Sequence, residues 1–298
     1  MIRIIETHIL PREEGKPLRD VIKGRMKIST SLYASLKRSG SAVTVNGKEA
    51  HADRKVSAGE VLRIKLEDEA SSENVYPVKG DLDIIYEDED ILVINKPPFL
   101  PCHPSKGHVS DSLANIVAGY YEEKGEKFVF RCATRLDRDT SGIVIVAKNR
   151  LSHDLITEQM NDGSFSKIYF ALAEGEVYPR EGRIDKNIRR VPGIATIKRE
   201  VCDSSDGATA VTDYKVIHTE NGRSLLEIKT LTGRTHQIRV HLASIGHPLL
   251  GDWLYGEKNN AHPRQLLHCG EVRMNSPITG EPLLLKAELP EDFKEIIR

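Results

Sequence analysis

An α+β fold is what this sequence predicts: a mixed, mostly antiparallel sheet with flanking helices, plus a small α/β module near the N-terminus. Three observations carry that expectation. Short runs of β-branched and apolar residues recur along the chain, among them ILVIN at 91–95, IVIVA at 143–147 and SKIYFALAE at 166–174. Few helical segments separate them, so the regular strand–helix alternation of a parallel sheet is missing. An Asn46-Gly47 pair follows a short strand and marks a tight hairpin.

The elements follow in order. Ile2, Ile4 and Ile9 alternate in part and give a leading strand over 1–11, broken by Pro11 and Gly15. PLRDVIKGRMKI places Leu18, Val21 and Ile22 on one side of a short helix. Ser29-Thr30-Ser31 offers capping hydroxyls to a second helix, LYASLKRSG, closed by Gly40. A strand over 42–45, the Asn-Gly turn and HADRKVSAGEVLRIKL complete a module over 12–66. EDEASSENVYPVKG, residues 67–80, is acidic and poor in apolar residues, and reads as a linker. A larger body then spans 81–298. It opens with strands at 82–86 and 91–95, and Pro97-Pro98 ends the second. Helices are expected at 111–121, 151–160 and 291–297. Strands are expected at 143–147, 166–174, 210–219, 224–230, 265–273 and 283–287. RTHQIRVHLASIG, after Thr232-Gly233, reads as a helix closed by Gly246.

Composition bounds the class. At 298 residues, 39% hydrophobic and 29% charged, the chain describes a soluble globular protein of two or three domains. No apolar run approaches the roughly 18 residues of a membrane span, and the N-terminus lacks a signal-peptide layout, so the expected location is the cytoplasm. Cys102, Cys132, Cys202 and Cys269 are scattered without a CxxC pair. His236 and His241 are five apart, which is not a one-face helical pair. No structural metal is expected.

The net charge is −1, but its distribution is uneven. Residues 12–66 hold 13 Lys/Arg against 6 Asp/Glu, residues 67–90 hold one Lys against 10 acids, and residues 180–200 hold seven cations against three acids. Local charge sets an electrostatic footprint, and two basic segments around an acidic one suit an RNA-binding module attached to a catalytic body.

The densest chemistry lies in RCATRLDRDTSGIVIVAKN, residues 131–149. Asp137, between Arg135 and Arg138, sits at the mouth of a strand buried on both faces. Neighbouring cations favour an ionised carboxylate. The same residues also fit a self-neutralised surface loop. A glycosidase-like pair of Asp137 and Asp139 is weaker: on a strand they would share a face at about 7 Å, but the arginines would ionise both and leave no general acid.

Four segments decide between these readings. DIIYEDEDILVINKPPFLPCHPSKGH, RLDRDTSGIVIVAKN, SKIYFALAEG and LTGRTHQIRVHLASIGHPLLGDWLYG, in this order, resemble the RluA-type RNA pseudouridine synthases. SLYASLKRSGSAVTVNGKEAHADRKVSAGEVLRIKL resembles the S4 RNA-binding domain that such enzymes often carry. The resemblance implies an isomerase with no cofactor. It would detach a uridine base from C1′ of its ribose, turn it and rejoin it through C5. It implies Asp137 as the carboxylate at the sugar, nucleophile at C1′ or base at C2′; Arg234 as the arginine that pairs with it; Tyr169 as the tyrosine that meets the base; and Arg135 as the side chain that replaces the flipped uridine. Lys37, Arg38, Lys48, Arg54 and Lys55 are candidate RNA contacts, and Lys96, matched by the first motif, is a phosphate (RNA) or packing contact. His236, Gln237 and His241 read as scaffolding, and Thr140 and Ser141 as turn-holding hydroxyls. The family's usual histidine before RLD is Thr134 here, which puts local RNA recognition in doubt. The expected partner is structured RNA, most simply large-subunit ribosomal RNA, with transfer RNA or a catalytically inactive RNA-binding protein as alternatives, and the expected state is a monomer.

Overall fold

The computed structural model describes residues 1–38, 42–68, 71–72, 74–193, 197–203, 205–256 and 262–297. It has the expected α+β class. Near the N-terminus, β1 (Ile2–His8) precedes helices α1 (Leu18–Gly24) and α2 (Thr30–Arg38), and then β2 (Val43–Val45), β3 (Lys48–Glu49) and β4 (Val61–Glu67). These strands form one sheet in the order β1-β4-β2-β3. Asn46 and Gly47 both take positive φ, as a two-residue hairpin turn requires. Leu18, Val21 and Ile22 of α1 and Leu32 and Leu36 of α2 bury against Leu62 and Ile64. Ser29 caps α2 through Leu32 N–H, while Gly40, expected to close it, lies outside the described residues.

The module is larger than 12–66. β1 pairs antiparallel with β4 along its whole length, from Ile2–Glu67 to His8–Val61, so the leading strand belongs to the sheet. The module also docks on the body. Arg3 reaches Asp90 at 3.0 Å, and Leu151 and Leu155 join the module's apolar core. The acidic stretch is no free tether where it is described. Asp68 pairs with Arg131, the Ser71 and Ser72 hydroxyls accept from Phe128 and Phe130 N–H, and Asn115 donates to the Tyr76 carbonyl.

The body contains β5 (Ile84–Glu87), β6 (Ile91–Lys96), α3 (Leu113–Glu123), β7 (Arg131–Cys132), β8 (Ser141–Ala147), α4 (Arg150–Asp162), β9 (Ser166–Glu174) and β10 (Glu181–Asp185). A ribbon of β11 (Asn187–Arg190) and β12 (Arg199–Cys202) follows. Then come β13 (Val211–Glu220), β14 (Arg223–Thr230), α5 (Gln237–Ser244), β15 (Leu267–Asn275), β16 (Pro282–Lys286) and α6 (Glu291–Ile297). The main sheet runs β10-β13-β14-β9-β15-β8-β6-β5, with β16 on β15 and β7 on β8. Every pairing is antiparallel except β8 with β15, which run parallel through Ser141–His268 and Gly142–Cys269.

β8 is the buried spine. All seven of its residues are inaccessible, and Ile143 to Ala147 are fully so. Burying each such aliphatic side chain contributes about 1.5–3 kcal/mol. An exposed ion pair contributes about 1 kcal/mol or less. Apolar packing, more than the charges of the preceding loop, therefore fixes this strand. Gly142 has φ +108, and a Cβ there would overlap the Cys269 backbone, so only glycine lets β8 approach β15 at this point.

Candidate active site

The loop between β7 and β8 carries Asp137, and buried groups grip the residues around it. Leu136 N–H donates to Cys102 Sγ at 3.4 Å. Lys96 Nζ donates to the carbonyls of Pro97, Leu100 and Arg138 at 2.8, 2.9 and 3.0 Å. Arg264, fully buried, donates to the Asp139 carbonyl at 3.1 Å, and Gln265 donates to Thr140 Oγ1 at 3.3 Å. Ser141 Oγ meets His268 Nδ1 at 3.0 Å. With its backbone so tied, Asp137 directs a carboxylate that is 27% exposed into a cavity of about 590 Å³.

The arginine that meets Asp137 is Arg239, not Arg234. Arg239 Nη1 stands 3.3 Å from Asp137 Oδ2, and its Nε and Nη2 form a bidentate pair with the fully buried Asp252 at 2.7 and 2.8 Å. Burial disfavours its charge, but the bonds to Asp252 outweigh that and raise its pKa. Asp252 is held in turn by Leu254 and Tyr255 N–H. The cause of the difference is where α5 begins. The Gln237 side chain accepts from Thr232 Oγ1 and Arg234 N–H and donates to the Val211 carbonyl and Thr212 Oγ1. That clasp closes a turn, and the helix starts at Gln237. Arg234 is left exposed in the turn, at the cavity mouth, with Nε on the Thr209 carbonyl at 2.9 Å.

His236, at φ +58 just before the helix, stands 3.9 Å from Asp137 Oδ2 through Nε2, with Nδ1 2.8 Å from the Tyr255 hydroxyl. Burial lowers its pKa and favours neutral imidazole, although Asp137 pulls the other way. The Tyr255 hydroxyl also accepts Arg199 N–H from β12, and its ring underlies the Arg239 guanidinium at 5.1 Å. His241 bridges Thr212 Oγ1 and the Lys186 carbonyl, away from the carboxylate.

Tyr169 lines the same cavity from β9, between Ile228 of β14 and Cys269 of β15. Burial first, and then Cys269 and Asp137, push its phenol well above the usual range, so it is neutral. Arg135 is exposed at the rim. Thr134 is buried, and its Oγ1 accepts Ile145 N–H at 3.0 Å, so this side chain braces β8.

The structure does not gather the other expected RNA contacts here. Lys96 is fully buried on its three carbonyls and presents no cation to a ligand; burial lowers its pKa to about 8. Arg54 is paired with Glu60 at 2.5 and 2.9 Å. Lys37, Arg38, Lys48 and Lys55 are exposed on the N-terminal module, apart from the cavity. Among the described residues no cluster of three His, Cys, Asp or Glu could hold a metal, and no helix is long and apolar enough to cross a membrane.

Arg239, Asp252 and Tyr255 were not singled out from the sequence. One signal was available. Arg239 interrupts an apolar pair, Ile238 and Val240, at the start of a buried helix, and a charge in such a place needs a partner.

A carboxylate anchored by arginine in a nucleotide-sized cavity, with a neutral tyrosine beside it, fits the class of enzymes that modify a nucleotide. The comparisons with known proteins agree. A family model described as RNA pseudouridylate synthase matches residues 90–244. An uncharacterized RNA pseudouridine synthase of Bacillus subtilis, YhcT, is 37% identical over 99% of this chain and 97% of its own length. The ribosomal large subunit pseudouridine synthase D of Yersinia pestis is 35% identical over 86% of this chain and 82% of its own. Human RNA pseudouridylate synthase domain containing 1 superposes with a TM-score of 0.58 at 26% identity, covering 70% of this chain and 83% of that one. The chain belongs to the RluA-type RNA pseudouridine synthase family, isomerases that act on uridines in RNA.

Proposed function

We propose that this enzyme converts a specific uridine of structured large-subunit ribosomal RNA to pseudouridine, with Asp137 as its catalytic carboxylate. The observation that carries the reading is the Asp252–Arg239–Asp137 array facing the cavity that Tyr169 lines. Support for the RNA class comes from the relatives named for the ribosomal large subunit, in Yersinia pestis and Pseudomonas aeruginosa. The N-terminal module, with Lys37, Arg38, Lys48 and Lys55 in solvent, acts in this reading as an S4-like RNA-binding domain.

The chemistry follows from the geometry. The target base must leave its stack, which costs a few kcal/mol. Arg135, at the rim, offers a planar cation to the gap. The bidentate hold of Asp252 fixes Arg239, and Arg239 in turn fixes the orientation of Asp137. Asp137 then acts on the ribose as nucleophile at C1′ or base at C2′. The neutral Tyr169 phenol packs on the base and offers a proton-transfer group.

Pseudouridine mapping by carbodiimide-dependent reverse-transcription stops, with and without the gene, is the test. A single lost site in large-subunit ribosomal RNA is expected, restored by the wild-type enzyme and not by Asp137→Asn, which binds RNA within a few-fold of wild type. A lost site in transfer RNA instead overturns the substrate class, and turnover by Asp137→Asn overturns the role of Asp137.

A further inference from the structure

Strand β9 sends a second polar group toward the cavity. Lys167 stands two residues before Tyr169, so both side chains leave the same face of the strand, about 7 Å apart. Both line the cavity that holds Asp137. The Lys167 side chain is half-buried, with its ammonium near the thiols of Cys269, Cys132 and Cys102. Thiols are weak acceptors. Among the described residues, no carboxylate or carbonyl accepts a hydrogen bond from it. With no such acceptor and its side chain on the cavity wall, this cation is placed for a charge that arrives with the ligand. Phosphates are strongly hydrated and meet exposed cations such as Arg135 and Arg234 at the mouth. On the proposed function, an extruded base would pack on the Tyr169 ring that lines the cavity.

On the reading of the chain as a uridine isomerase, we infer that Lys167 is a further catalytic residue, whose ammonium neutralises the uracil anion while the base is detached. When N1–C1′ breaks, its electron pair leaves with N1, and the charge spreads over N1, O2 and O4. On the nucleophilic route an Asp137 oxygen forms the bond to C1′. After the base turns, C5 supplies the pair for the new bond to C1′, and the Asp137–C1′ pair returns to the carboxylate. C5 then gives its proton to water, and N1 takes one from water. Lys167 neither gives nor accepts a proton; it stabilises the detached anion from a fixed, partly desolvated position. Burial lowers its pKa while the thiols oppose that shift, so of the cavity's cations it is the one that loses charge first as pH rises.

The test is single-turnover kinetics of the full chain on a large-subunit ribosomal RNA transcript. Lys167→Met is expected to slow the reaction by about 100-fold, with RNA affinity within about three-fold. On a transcript made with 5-fluorouridine, whose more acidic base leaves as the better-stabilised anion, the deficit in loss of the target nucleoside should fall below about ten-fold. Lys167→Arg keeps the charge. It should stay within about ten-fold of wild type and carry the alkaline limb of the rate to higher pH. Equal deficits on the two transcripts overturn the inference. So does weakened binding at unchanged rate, the mark of a phosphate contact. If Lys167→Met does not fold, the alkaline limb of Lys167→Arg decides alone, and a limb that is absent or does not move overturns the inference. A wild-type enzyme inactive on every RNA offered defeats the functional reading itself, and this inference with it.

Discussion

In the N-terminal module Lys37, Arg38, Lys48 and Lys55 stand in solvent, and Arg54 leans on Glu60 at the surface. In the body Lys96, Arg239 and Arg264 are buried, each with hydrogen bonds to oxygen acceptors. The same residue types therefore do different work. Exposed cations attract and position a polyanion, through a diffuse field that salt screens. Buried cations hold backbone and carboxylates in one geometry, and each is costly to leave unpaired. Cation content marked the module as an RNA-binding candidate and the family likeness put Lys96 beside it; burial separates the two.

The sharpest break of this comparison is at the two arginines of the α5 segment. Arg239→Met should lower kcat by about 1,000-fold, the scale of losing a positioned charge at a reacting centre. Arg234→Met should cost only a few-fold, chiefly in KM, and the reverse order of effects would restore Arg234 as the partner of Asp137. Next comes Lys96→Met, which strips three carbonyls of their donor at about 1–3 kcal/mol each. Lost thermal stability of about 10 °C or more is expected, with RNA affinity unchanged in the fraction that folds; a stable variant with weakened RNA binding would return Lys96 to the interface.

A smaller effect concerns acid stability. Burial pushes the His268 imidazole down to about 4, against the pull of the Ala287 carbonyl. In the unfolded chain it titrates near 6.5. The unfolded state thus binds this proton more tightly, so the stabilisation is fully present above about pH 6.5 and is lost as pH falls toward 4. Denaturation midpoints of wild type and His268→Gln across that window should converge as pH drops. The smallest effects separate the surface cations from one another. Lys37→Ala with Arg38→Ala should flatten the dependence of log Kd on log salt by about one unit per cation. Arg54→Ala should leave that slope nearly unchanged, because Glu60 already holds its charge.

The fold was legible because apolar runs fixed the strands and Asn46-Gly47 fixed a hairpin. The IVIVA run read as a strand buried on both faces, and Ile143 to Ala147 are fully buried. The reach of the module was not legible, since the pairing of Ile2–His8 with Val61–Glu67 joins segments that share no local pattern. Asp137 stood out because charge and apolar run abut in one stretch. Its partner did not, because two arginines stand five positions apart in RTHQIR, and a side-chain clasp by Gln237 chooses between them. Lys96 stayed open between phosphate and packing contact for a related reason: sequence shows a cation but not the three carbonyls folded around it.

The parallel contact of Ser141–Gly142 with His268–Cys269 has a consequence in time. The two partners are 127 residues apart. A ribosome that has just released Ala147 has made the carboxylate loop and the strand behind it, but not the strand that closes its far edge. That edge stays open until Leu267–Asn275 emerges, by which point most of the chain has been made. The carboxylate therefore gains its fixed position late in synthesis. A chain stopped before Leu267 should carry every residue of the RLD motif and still form no pseudouridine.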